Sequence, residues 1–126
     1  MKPLLPPILL LAVLLGFSLV NCSYMVRQTT RWDAELQEAD RLAEDERWDE
    51  AGQTLSKGYR DWSSHQTYLH IVVKHEEVDG AQTMYLRANA FLQEQELSEF
   101  RAELADLRSQ LQLLAEMERI SIKNIL

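Results

Sequence analysis

The chain has 126 residues, with 20 Asp and Glu against 13 Lys and Arg, a net charge of −7 and a single cysteine, Cys22. The acidity argues against nucleic acid or anionic lipid headgroups as the main partner. One cysteine excludes an internal disulfide and a thiolate metal site.

The first element is a charge-free stretch, Pro3–Val26, between Lys2 and Arg27. Its apolar heart, Ile8–Val20, is interrupted only by Gly16 and Ser18. A membrane-spanning helix needs about 20 apolar residues. Leu4–Tyr24 supplies that length if Pro6 and Pro7 sit in the first turn, where a missing N–H costs little. Two other readings compete. Leu19-Val20-Asn21-Cys22 resembles a bacterial lipobox with Asn21 where a small residue usually stands, and a cleaved secretory signal would share the basic start and apolar middle. The favoured reading is an uncleaved signal anchor over residues 1–26, attached to the membrane through residues 3–26, with a helical domain over 27–126. Lys2 and the terminal amine favour an extracytoplasmic body, although Arg27 and Arg31 blunt the charge contrast.

All acidic residues follow Val26, and with 12 of the basic ones they leave the body at −8. This part contains no proline and is rich in Ala, Leu, Glu, Gln and Arg, which marks it as all-α. Ser23–Thr30 reads as a polar connector in which Thr29 or Thr30 caps the next helix. That helix is expected over Arg31–Asp45, with Trp32, Leu36, Ala39, Leu42 and Ala43 on one stripe. Glu44–Arg47 has no apolar residue and predicts a turn.

A second helix starts at Trp48-Asp49-Glu50-Ala51, with acids in its first turn, and carries Leu55, Tyr59 and Trp62. Ser63 and Gln66 have capping-box spacing and predict a new helix there, with a continuous helix as the alternative. The third helix is expected to run unbroken to about Gln93, burying Leu69, Val72, Val73, Val78, Ala81, Tyr85, Ala88 and Leu92. The clearest seam follows: Leu97, Phe100, Leu104, Leu107, Leu111 and Leu114 alternate at steps of three and four, with Leu113 and Met117 widening its end. Glu118–Leu126 reads as a tail laid back along the bundle, with room for a last helical turn. The expected architecture is an amino-terminal transmembrane helix followed by a small antiparallel four-helix bundle of two hairpins, the first tetratricopeptide-like. No second copy at that repeat's period argues against a solenoid.

Chemistry is sparse. His75 and Asp79 are four apart and share a helix face. His-Glu-x-x-Asp over these positions resembles the zinc-protease motif His-Glu-x-x-His, but its second imidazole is missing. His65, His70 and His75 are spaced by five, which turns each away from the next, so the three do not converge and no metal site is expected. The favoured role of His75 is a charge pair with Asp79. Trp48, Tyr59 and Trp62 offer an aromatic surface but at helical spacing read as core. No catalytic, cofactor-binding or metal-ligating residue is assigned, and no cofactor or enzymatic activity is expected.

One resemblance is specific in combination. Trp48-Asp49-x-Ala51, Trp62, His75-Glu76-x-Val78-Asp79 and the end Lys123-Asn124-Ile125-Leu126 resemble the bacterial family called domain of unknown function 4363. The likeness spans Arg31–Leu126, with Lys74 standing where an Asp usually precedes the His. It implies a Gram-positive source and a helical body behind one membrane segment, and carries no activity. The expected function is therefore a membrane-anchored, extracytoplasmic helical module acting by protein–protein contact with a partner the sequence does not name. A homodimer through the last helix would need Leu104, Leu107 and Leu111 partly exposed. The alternative is a lipoprotein with ligand-binding or metal-dependent activity around His75 and Asp79.

Overall fold

A computed structural model describes residues 2–125. After a 3-10 turn over Lys2–Leu4, the helices are α1 (Leu5–Glu44), α2 (Trp48–Ser64), α3 (Gln66–Val72), α4 (His75–Gln93) and α5 (Leu97–Ile125). Pro6 and Pro7 sit in the first turn of α1, as the anchor reading requires.

The main departure from expectation is that α1 is one helix of 40 residues. The connector expected at Ser23–Thr30 does not exist. Thr30 donates to the carbonyl of Val26 at 2.8 Å, and Thr29 to that of Met25. These are bonds one turn back within a continuing helix, not caps. Met25 is fully buried in the core. Packing of the bundle thus begins before the 26/27 boundary, in the same helix that carries the apolar segment.

The second half of α1 packs against α2 and α5, and α4 closes the ring against α5 and α2. Antiparallel register between α1 and α5 follows from two ion pairs, Asp33 with Arg108 at 2.6 Å and Asp40 with Arg101 at 2.9 Å. Seven residues forward on α1 match seven back on α5, the repeat of a heptad seam. The core comprises the predicted stripes: Trp32, Leu36, Ala39, Leu42 and Ala43 of α1, Ala51, Leu55 and Trp62 of α2, Val78, Ala81, Tyr85, Ala88 and Leu92 of α4, and Phe100 to Leu114 of the seam. Leu104, Leu107 and Leu111 are at most 1% exposed, so these leucines close the chain's own bundle. Leu113, by contrast, points to solvent.

Both hairpin turns end their helices in the same way. Glu46 and Gln95 have positive φ, at 63° and 52°. Arg47 N–H donates to Leu42 O at 2.8 Å, and Glu96 N–H to Phe91 O at 3.0 Å. This is the Schellman arrangement, which satisfies carbonyls a helix end leaves open.

The expected third helix is in fact two. The Ser63–Gln66 capping box is not formed: Ser63 Oγ donates to Arg60 O, and the Gln66 amide donates to Gln82 on α4. Past α3, Val73 (φ −127°, ψ 160°) and Lys74 (φ −61°, ψ 134°) are extended. The break follows Ile71-Val72-Val73, a β-branched run whose side chains lose rotamer freedom in a helix. The tail expected from Glu118 is also corrected, since α5 continues helical to Ile125; Leu126 lies outside the described residues.

Candidate functional site

The break at Val73–Lys74 creates the most distinctive cluster. His70 lies on the last turn of α3, and His75 is the first residue of α4. With the chain turned between them, their ring centroids are 4.5 Å apart. Both face one carboxylate: His75 Nε2 is 3.0 Å from Asp79 Oδ2, and His70 Nε2 is 3.5 Å from Asp79 Oδ1. The three candidate ligand atoms all lie within 4.8 Å of one another. His70 Nε2 is shielded from solvent and has no hydrogen-bond partner, whereas His75 and Asp79 are open to it.

The expectation that the three histidines diverge is therefore overturned for His70 and His75. It rested on an unbroken helix. For His65 divergence holds: its ring packs 5.5 Å from that of Trp32 on α1. The expected His75–Asp79 contact is present, and sequence reasoning missed its third member. Glu76 projects into solvent, and Glu77 is occupied by the Gln110 amide of α5 at 2.8 Å.

A second feature is a groove of about 760 Å³ between α2 and α4, where the bundle is least tightly closed. Trp48, Tyr59, Leu86 and Leu92 supply its apolar lining, and Asp49 and Arg60 stand among the polar residues. Of the three aromatics weighed for a surface role, Trp62 is wholly core, while Trp48 and Tyr59 are half-buried and reach this groove.

Beneath it lies a polar inclusion in the core. Glu35 Oε2, Trp62 Nε1 and Tyr85 OH are buried without hydrogen-bond partners. Burial, and then the negative charge of Asp61, hold the Glu35 carboxyl above the usual carboxylate range. Burial and the neighbouring Glu35 and Asp61 likewise push the Tyr85 hydroxyl upward. A Cβ at Gly58 would stand 3.0 Å from Glu35 Oε2, so the glycine leaves room for this carboxylate between α1 and α2.

The family model described as Domain of unknown function (DUF4363) matches residues 19–125. The chain belongs to that family. No curated protein and no solved structure matches it. The DUF4363 match takes in the whole bundle and begins within the apolar half of α1, in keeping with core packing that starts at Met25.

Proposed function

We propose that this DUF4363 protein is a single-pass membrane protein whose helical body lies on the extracytoplasmic side and works by contact with another protein, not by catalysis. The observation that carries the reading is the double character of α1. Its amino-terminal half holds a stretch with mean hydropathy 2.1 and no buried residue, a candidate membrane span, and its carboxy-terminal half is a wall of the bundle core. Leu5–Tyr24 would extend about 30 Å, the thickness of a bilayer's hydrocarbon core.

Several features at the junction support this placement. Tyr68 of α3 donates a hydrogen bond to Asn21, and its ring meets that of Tyr24 edge-on at 5.4 Å. Tyrosines favour the membrane–water interface, where their hydroxyls stay wet and their rings do not. Ile71, on the same short helix, is 78% exposed, the most exposed large apolar side chain among the described residues of the body. Cleavage before Cys22 would remove Asn21 and its bond to Tyr68, which favours an intact anchor over a lipoprotein. The groove lined by Trp48, Tyr59 and Leu86 is the surface proposed for a protein partner, since half-buried aromatics around a cleft are a common feature of interfaces.

The test replaces Cys22 by Ser and the exposed Ser109 by Cys, then treats intact cells with a membrane-impermeant maleimide. Labelling before lysis is expected. Labelling only after lysis would overturn the extracytoplasmic placement. The mass of the wild-type mature chain completes it: Met1 or Lys2 at the amino terminus supports the anchor, and a diacylglyceryl group on a chain starting at Cys22 refutes it.

A further inference from the structure

We propose that His70, His75 and Asp79 bind one divalent transition-metal ion of the zinc class at the α3–α4 junction. Three Lewis bases converge here from two helices. With the proton of each neutral imidazole placed on Nδ1, both Nε2 atoms can donate a lone pair, and each lies within 3.5 Å of an Asp79 carboxylate oxygen. Unbridged, such lone pairs repel; one proton on His75 Nε2 would bridge it to Asp79 at 3.0 Å but leave the shielded His70 Nε2 still without a hydrogen bond. Protons on both rings would answer that need poorly, because two imidazolium rings with centroids 4.5 Å apart repel each other. A single divalent ion serves all three donors at once.

The spacing suits it. Ligand atoms held about 2.1 Å from a tetrahedral ion lie about 3.4 Å from one another. The two His–Asp separations, each to a different oxygen of the carboxylate, are 3.0 and 3.5 Å. All three ligand atoms lie within 4.8 Å of one another, and His75, 71% exposed at its side chain, has the freedom to adjust to an ion. His70 is the more enclosed member, with its Nε2 shielded and without a hydrogen bond. Two imidazoles and a carboxylate select zinc, nickel, copper or ferrous iron over calcium and magnesium, which prefer all-oxygen shells. Three protein ligands leave at least one position for water or for a donor from another molecule. The bound ion would also clasp α3 to α4 across their extended link. This inference is independent of which side of the membrane the body occupies.

The experiment uses the full chain in detergent micelles, stripped with chelator and titrated calorimetrically with zinc chloride. One saturable site per chain is expected. His75→Ala and Asp79→Asn, both at exposed side chains, should each weaken it by about tenfold or more, and His65→Ala should leave it unchanged. Circular dichroism in chelator verifies that each variant keeps its helices. Zinc should raise the Tm of the wild type and not of His75→Ala. Absence of a one-to-one site, or equal affinity in all variants from ions gathered on other surface carboxylates, would overturn the proposal.

Discussion

Replacing Lys74 by proline separates a chain broken after α3 from one that is helical throughout, and the two give opposite signs. Lys74 has φ −61°, within the range the pyrrolidine ring imposes. Val73, at φ −127° and ψ 160°, already has the extended conformation that proline demands of its predecessor. Among the described residues the Lys74 N–H makes no backbone hydrogen bond, and its side chain is exposed, so little is lost from the folded state. The gain comes from the unfolded chain, whose freedom proline restricts, and amounts to about 0.4–1 kcal/mol. For a bundle of this size that is a rise in Tm of about 2–8 °C. In a continuous helix the same substitution would remove a hydrogen bond and clash with the preceding turn, costing about 3 kcal/mol or more. The assay is thermal unfolding followed at 222 nm, in detergent and chelator. A fall of about 10 °C or more would refute the break, and with it the convergence of His70 and His75.

Two further outcomes test the packing. Glu35→Gln should stabilise the protein by about 0.5–1 kcal/mol at pH 7, because a partly buried carboxylate oxygen lacks a partner. Since burial raises the Glu35 pKa above 4.5, the folded state holds its proton to higher pH than the unfolded state. Wild-type stability therefore declines as pH climbs from there through the raised value. The gain from the amide should vanish at lower pH, and parallel pH profiles for the two proteins would show the carboxylate is not strained. Gln95→Gly should raise Tm by about 2–8 °C, because Gln95 sits at φ 52° where glycine is free of Cβ strain. An unchanged or lower Tm would mean the turn does not hold that conformation.

The periodic stripes made most of this fold legible in the amino-acid order. Trp32 to Ala43, Val78 to Leu92 and Phe100 to Leu114 are buried where spacings of three and four place them. Such spacing needs only local helix geometry and a shared core to be read correctly. The apolar segment was legible too, because composition alone identifies it. Continuity was not. Ser and Thr side chains after Asn21 offer caps in the abstract, yet packing of Met25 and Thr29 against the bundle keeps α1 helical through them.

The opposite error occurred at Ile71-Val72-Val73. Helical spacing carries through that run on paper, while the structure extends Val73 and Lys74 and turns α4 back along the bundle. Sequence by itself determined the helical class, the core-facing residues and the His75–Asp79 pair, all consequences of neighbours within one turn. Only the tertiary structure decided that α1 joins apolar segment and body as one rod and that His70 meets His75. Those facts depend on where a helix stops, and that is set by long-range packing competing with modest local propensities.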